Sequence, residues 1–383
     1  MTLRLALVGA FPFPLAQGSQ RFFADQGRAL RDAGAQITAF TYGTGHGSAP
    51  ADLELRRAPV WASPRRLGSG FSARKPLADL ALAQRLLAAH RERPFEAVLA
   101  HNAEAALAGF AARARGGPPV VYVAHTLWEH ELESHLPWPA VARRWREKLR
   151  GGAGLGAALD RLCARRADAV VVLTEATHRA LEPHAEGPVV CIPPGWRPEA
   201  APRPEEVLRA CTKAGLEPER YTVYAGNLDR YQGLDLLDAA ATALPELPCV
   251  AVTHAKQPTP FRALRTVQVA SPQDVRALVF GAASVAIPRR SVGGFPLKLI
   301  DAMEAKRAIV GHRAGLGDLR HAESAWCLPP EAGVAQWAAS LASLQQDPAL
   351  RTRLGAGARA VLETEHAWPK LADRTLQLVA SLR

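Results

Sequence analysis

Cysteine is scarce in this chain and it is scattered. The five cysteines, Cys163, Cys191, Cys211, Cys249 and Cys327, stand singly, with no C-x-x-C pair among 383 residues. That spacing speaks against a structural zinc site and against a disulfide framework, and it fits a reducing compartment. Long apolar runs are lacking too. No stretch of 18 residues is both apolar and free of charge, so a helical membrane span is excluded. The opening MTLRLALVGAFPFP has one Arg, a short apolar run and no small-residue cleavage site. It is expected to form a buried first strand rather than a signal peptide. No G-x-G-x-x-G follows a strand candidate, so a dinucleotide site of the dehydrogenase kind is not supported. There is no Asp-x-Asp pair and no His/Cys cluster, so no divalent metal is expected to be needed. Aromatic residues make up only 6% and no RNA-binding signature occurs, which argues against nucleic acid as the partner.

Apolar residues are plentiful, at 48%, and the length allows two domains with separate cores. Lys and Arg number 47 against 36 Asp and Glu, a formal charge of +11. The densest part, 143–166, has eight basic and two acidic residues. Such a surface favours anionic partners, whether nucleotide phosphate or phospholipid.

Strand and helix patterns alternate from the start. LRLALVG (3–9) is an apolar run, and 19–33 shows helical spacing with Phe22, Phe23, Gly27 and Leu30 near one face. Gly34 is placed to end that helix. AQITAFTY (35–42), EAVLAHN (96–102), VVYVAHT (120–126), ADAVVVLTE (167–175) and PVVCIPPG (188–195) read as further strands, and LADLALAQRLLAAHRE as a long helix. The proline-rich WRPEAAPRPEE (196–206) reads as a linker. The alternation then restarts. Strands are expected at 221–228, 249–255, 266–270, 284–288 and 308–312, with helices near 204–214, from 233, at 272–280 and at 296–305. Continuous apolar strands between helices predict an α/β fold with two parallel sheets, each covered on both faces. Ligands of such sheets bind beyond the carboxyl ends of the strands.

Four strand ends carry polar or glycine-rich sequence. The first holds Gly18 and Ser19 ahead of a helix, a place where backbone N–H groups face an anion. The second and third are AHN (100–102) and AHT (124–126). A single histidine at such a place is more often structural, but two at parallel strand ends favour a shared ligand. His101 and His125 are therefore candidates to bind ligand hydroxyls or to transfer protons, with Asn102 and Thr126 beside them. The fourth is YAGNLDRYQGLDLLDAA (224–240), where Gly226 lets backbone approach a ligand and Arg230 and Gln232 precede a helix. Its partner is AIPRRSVGGFPLKLIDAMEAKRAIVG (286–311), with Arg289, Arg290 and Lys298 about the Gly293-Gly294 turn. Cations there suit a departing diphosphate. Lys298 and Asp301, three apart, also fit an ordinary helix ion pair worth roughly 0.2–0.5 kcal/mol.

With these segments in view the chain resembles the retaining glycosyltransferases of the two-Rossmann-domain (GT-B) architecture, glycosyltransferase family 4, or glycosyl transferases group 1. The resemblance rests on ADAVVVLTEATHRAL, IPPGW, GNLDRYQGLDLL, GGFPLKLIDAM and HAWPKLADRTLQLV, in that order. It implies two Rossmann-like domains facing each other across a cleft. Residues 1–196 would be the acceptor side, 197–366 the nucleotide-sugar side, and 367–383 a helix returning to the first domain. The implied activity is transfer of a sugar, with retention, from a nucleotide-diphosphate sugar, UDP-sugar foremost, to an acceptor hydroxyl. No cofactor is implied. His125, Lys298 and Arg230 would be catalytic. Gly18, Gly226, Asn227, Gln232, Arg289, Gly293, Gly294, Phe295, Leu297 and Asp301 would bind the donor, and His101, Asn102 and Thr126 the acceptor or sugar.

The chain departs from the family pattern at three charged positions and shortens a fourth. The usual Arg and Lys of the first phosphate loop are replaced by Asn227 and Gln232, and the usual glutamate pair by Gly293 and Asp301. A non-catalytic subunit or an epimerase of similar fold are the alternatives. LPWPAVARRWREKLRGG (136–152) interleaves Trp138 and Trp145 with Arg143, Arg144, Arg146, Lys148 and Arg150, and a basic loop lies at 64–75. These suggest a cytoplasmic enzyme, peripheral at an anionic membrane, with a lipid-linked acceptor.

Overall fold

Leu5, Ala6, Leu7 and Val8 are all fully buried. A strand with no polar face needs cover on both sides, and this one lies at the centre of a sheet. The computed structural model describes residues 2–15, 17–46, 52–64, 74–129, 154–254, 261–290 and 294–382. The chain divides into two units. The first is Met1–Gly195 with Gly293–Phe295 and Trp368–Arg383, and the second Trp196–Val292 with Pro296–Ala367.

In the first unit the order is β1 (Arg4–Gly9), α1 (Gly18–Asp32), β2 (Gln36–Thr41), β3 (Glu54–Arg57), α2 (Lys75–Glu92), β4 (Ala97–His101), α3 (Asn102–Arg113), β5 (Val120–Ala124), α4 (Leu155–Arg166), β6 (Ala169–Val172), α5 (Glu175–Leu181) and β7 (Val189–Cys191). The chain's last described helix, here α12 (Trp368–Ala380), also counts with this unit and packs on α1. The sheet runs β3-β2-β1-β4-β5-β6-β7, and its pairings are parallel. Helix α1 buries Phe22, Phe23, Ala29 and Leu30. Burying each Phe or Leu contributes roughly 1.5–3 kcal/mol. Gly34, at φ +94°, ends it, donating its N–H to the Arg31 carbonyl at 2.8 Å.

In the second unit the order is α6 (Pro204–Lys213), β8 (Thr222–Ala225), α7 (Leu234–Thr242), β9 (Cys249–Thr253), β10 (Arg265–Gln268), α8 (Pro272–Gly281), β11 (Ser284–Ile287), α9 (Lys298–Glu304), β12 (Ala308–His312), β13 (Trp326–Leu328), α10 (Val334–Gln346) and α11 (Pro348–Glu365). The sheet order is β10-β9-β8-β11-β12-β13, again with parallel pairings. The two parallel sheets, each Rossmann-like, are those that the strand and helix alternation predicts.

Two strands go unpredicted. β3 reads Glu-Leu-Arg-Arg and lies at a sheet edge, where charge is the usual protection against further pairing and hides the strand signal. β13 is three residues long, too short for a pattern to register. Helix α9 starts at Lys298 rather than 296. A turn with Leu299 N–H on the Pro296 carbonyl at 2.8 Å comes first.

Candidate functional site

Strand β8 ends beside Gly226, whose φ of +147° is a conformation strained for any residue with a side chain. A Cβ there would lie 3.0 Å from Lys298 Nζ and 3.2 Å from the Tyr224 hydroxyl. Lys298 is the first residue of α9 and is half-buried. Its ammonium donates to Gln232 Oε1 at 2.9 Å and sits 3.8 Å from the centre of the Tyr224 ring. Gln232 is buried and donates through Nε2 to Asn227 Oδ1 at 2.8 Å. Asn227 in turn donates to Asp229 Oδ2 at 2.7 Å and to the Tyr231 hydroxyl at 3.2 Å. The Tyr224 hydroxyl donates to the Asn227 carbonyl at 2.6 Å, which pins the loop. Gly226, Asn227, Gln232 and Lys298 are thus one cluster. Tyr224, which holds it together, is not singled out by the sequence. It lies two residues before Gly226 in an apolar run, with no local sign of its role.

The positive charge at this cluster comes from Lys298 and the nearby Arg289, with Asp229 opposing it. Burial, with the charge of Arg289 adding to it, pushes the Lys298 ammonium well below its ordinary pKa, and Asp229 opposes the shift. The described partners of the ammonium are a neutral amide oxygen and an aromatic face. Arg289 is half-buried at the end of β11, 5.4 Å from the Tyr231 ring centre. Burial lowers its pKa as well. Gly233, at φ +72°, brings the turn before α7 against β11's end, since a Cβ there would come 2.6 Å from the Pro288 carbonyl. Leu297 and Asp301 are half-buried at the start of α9. Arg230 opens a short 3-10 turn, Arg230–Gln232, and its side chain lies outside the described residues. Gly293 and Arg65–Ala73 lie outside them too, as does all of 136–152, with its interleaved tryptophans and arginines.

In the first unit, His101 ends β4 and His125 follows β5. His101 Nδ1 and His125 Nε2 are 2.7 Å apart. Phe22 lies 5.0 Å from the His125 ring and Phe23 4.9 Å from that of His101, while Phe22 stacks on Trp368 at 5.9 Å. Burial pushes the His125 pKa down to about 3 and that of His101 well below its ordinary value, so both rings are neutral. Asn102, at φ +73°, opens α3 with Oδ1 buried and unbonded among the described residues. The turn after His125 is held by Asp160, which accepts the N–H groups of Trp128 and Glu129 at 3.1 Å each. Thr126 is half-buried in that turn. Gly294 and Phe295 count with this unit. Gly294 has φ +91°, and a Cβ there would come 2.3 Å from the His125 carbonyl and 2.6 Å from Thr126 Cγ2. Gly18 is the exposed first residue of α1. An open cavity of about 610 Å³ lined by Arg113, Arg165, Arg166 and Asp168 lies at the opposite, amino edge of this sheet. Among the described residues no cluster of His, Cys, Asp and Glu could hold a metal.

None of the curated proteins compared with the chain matches it. Solved structures do. Sucrose-phosphate synthase from Thermosynechococcus elongatus is 18% identical, with 99% of each chain covered and a TM-score of 0.78. HepE from Anabaena, in complex with UDP and glucose, is 14% identical, with 99% of this chain and 100% of that one covered and a TM-score of 0.73. WaaG, a glycosyltransferase involved in lipopolysaccharide biosynthesis, is 16% identical, with 98% and 99% covered and a TM-score of 0.70. Residues 16–200 match the family described as Glycosyltransferase Family 4, and residues 219–347 match Glycosyl transferases group 1. The chain belongs to the family 4 glycosyltransferases and has their GT-B fold.

Proposed function

We propose that this chain transfers a sugar from a uridine-diphosphate sugar to an acceptor hydroxyl, with retention of configuration. The observation that carries the reading is Lys298. A half-buried ammonium that meets a neutral amide oxygen and a tyrosine face, with Arg289 nearby, is a site that a bound anion completes. It lies at the carboxyl end of a parallel sheet, beside backbone that only glycine keeps open. The donor's diphosphate is the anion we assign to it, with Asn227, Arg230, Gln232 and Arg289 contributing, Asp301 on the ribose, and Gly293, Gly294, Phe295 and Leu297 along the sugar. HepE from Anabaena, solved with UDP and glucose and also with UDP-glucose, supports the choice of base.

In the step we assign, the bond from the sugar's anomeric carbon to the phosphate oxygen breaks as the bond to the acceptor oxygen forms on the same face. The acceptor's proton passes to the leaving phosphate. Lys298 and Arg289 stabilise the negative charge that grows there. His125 is assigned to a sugar or acceptor hydroxyl, with His101 behind it and Asn102 and Thr126 alongside. Gly18, at the start of α1, is assigned to the donor as well. No metal has a role in this scheme.

The acceptor we assign is amphipathic and lipid-linked, met at the cytoplasmic face of a membrane. No described helix is long and apolar enough to cross one. In the first unit Val60 is 66% and Trp61 69% exposed, and Leu77 and Leu80 are exposed on α2, against which that turn packs. The exposed Arg57 and Arg74 flank them.

Titration calorimetry with UDP and with uridine tests the donor site. UDP should bind more tightly than uridine in the parent, and Lys298→Ala should remove the difference. Equal weakening of both ligands would overturn the phosphate role. The replacement of charged family residues by Asn227 and Gln232 favours a second reading, a donor-binding subunit without transfer. UDP release from UDP-glucose, with or without acceptor, separates the two.

A further inference from the structure

The His101–His125 pair is more closely specified than a contact between two rings. Among the described residues, the bond the structure gives His125's ring is the one to His101, made through Nε2. His101 is fully buried, and its second nitrogen, Nε2, has no hydrogen-bond partner among the described residues. Phe22 and Phe23 pack at 5.8 and 4.9 Å from the His101 ring. His125 keeps 5% exposure. The nitrogen left for a ligand is therefore Nδ1 of His125.

Two neutral rings share one proton along the 2.7 Å line, and two placements satisfy it. In one, His125 donates through Nε2–H. His101 then carries its proton on Nε2, as a buried N–H with no acceptor, and His125 Nδ1 is a bare lone pair. In the other, His101 donates through Nδ1–H. Its Nε2 is then an unused acceptor, and His125 is protonated on Nδ1. Buried donors without partners are rarer in folded proteins than under-satisfied acceptors, so the second placement wins.

We propose that His101 is a positioning residue that fixes the tautomer of His125, so that His125 presents an Nδ1–H donor to its ligand. The proposal rests on the reading above, in which His125 meets a sugar or acceptor hydroxyl. It narrows that reading. His125 binds an oxygen lone pair on the ligand and does not take up the acceptor's proton. Burial supports this, because a ring whose pKa is pushed down to about 3 gains a second proton only at acid pH. The chemical consequence is selectivity for an acceptor group at that point of the ligand, a hydroxyl or a carbonyl, over an ammonium.

Nitrogen-15 spectra of the full chain labelled at histidine read the tautomers directly, without any ligand. The expected result is a protonated Nδ1 in both rings, with the two rings' signals identified by their loss in His101→Leu and His125→Leu. A protonated Nε2 on His125 in the parent overturns the proposal. In His101→Leu the His125 proton should redistribute toward Nε2, and in His101→Asn, whose amide N–H sits near the place of Nδ1, it should stay on Nδ1. UDP-glucose binding supplies the functional arm. His101→Leu should weaken it about tenfold, the size of one lost hydrogen bond, and His101→Asn should restore most of the loss. Equal loss in both variants overturns the positioning role. A parent that binds no UDP-glucose at all removes the donor reading and leaves the spectra to decide the tautomer.

Discussion

Lys298 Nζ donates to Gln232 Oε1 at 2.9 Å, and that bond ties the start of α9 to the loop after β8. A glutamine accepts from the ammonium and passes the chain on to Asn227 through its own N–H. A lysine at 232, as the family pattern has it, brings a second cation to the same place. Gln232→Lys should therefore lower thermal stability without ligand, since a second ammonium would stand at the buried position of Gln232, next to that of Lys298. It should tighten UDP binding about tenfold, because a charge-assisted contact replaces a neutral one. Thermal unfolding with and without UDP reads both effects. A variant more stable than the parent in the absence of UDP would contradict this account.

The same lysine predicts a pH dependence. Burial and Arg289 disfavour its charged form in the free protein, so its pKa lies well below the ordinary 10.5. Binding a diphosphate favours the charged form. As pH rises through the lowered pKa, binding must take up a proton, and affinity falls. Calorimetry of UDP at a series of pH values between the lowered pKa and 10.5 should show this decline, by at most tenfold per pH unit, and Lys298→Met should flatten it. Stability without ligand runs the other way. Between the lowered pKa and 10.5 the unfolded chain holds the proton and the folded one does not, so stability rises with pH in that window.

How far the sequence disclosed this site depended on whether the signal was local. Gly226, Gln232 and Lys298 stand at strand ends and helix starts, where glycine and cations are legible as such. Their meeting is a matter of β8 and β11 lying side by side, an order that the strand and helix alternation does not state. The Tyr224 ring under Lys298 was not legible, because a tyrosine in an apolar strand reads as core. Nor was the bond between His101 and His125. It needs β4 and β5 paired in one register, His101 opposite Val123, and nothing in AHN or AHT states that register. Asn102 at φ +73° was hidden for another reason, since asparagine is tolerated there as elsewhere and marks nothing by itself.

A second titratable pair lies in the first unit. The Tyr42 hydroxyl donates to Asp79 Oδ1 at 2.6 Å. Burial pushes the Asp79 carboxyl up to about 7, with the charge of Glu104 adding, while the Tyr42 bond and Lys75 pull it down. The folded protein thus holds a proton on Asp79 that the unfolded chain releases near 3.8. Stability from this group is present at acid pH and is lost as pH rises from about 4 to about 7. Asp79→Asn keeps an acceptor for Tyr42 and removes the charge. Its melting temperature should match the parent's at about pH 4 and exceed it at about pH 8, by a few degrees. A constant difference across that range would show that Asp79 does not titrate in the fold.

The exposed apolar residues of the first unit make the amphipathic acceptor testable. Trp61 is 69% exposed, Val60 66%, Leu80 48% and Leu77 44%. Isolated apolar residues are normal on protein surfaces, but exposed Val60 and Trp61 on a turn that packs against the helix carrying exposed Leu77 and Leu80, with exposed Arg57 and Arg74 near them in sequence, have the composition of an interfacial contact. Tryptophan holds the boundary between headgroup and acyl chain, and each basic residue near an anionic surface adds about 1 kcal/mol. Co-sedimentation with vesicles of increasing anionic lipid content should therefore show binding that rises with that content and falls with salt. Trp61→Ser should weaken it at every salt concentration, whereas Arg74→Ser should weaken it chiefly at low salt. Both side chains are exposed, so neither change should alter the fold, and UDP binding should be unaffected. Vesicles that never retain the parent at any composition, or a Trp61→Ser variant indistinguishable from it, would favour a soluble acceptor that carries no lipid.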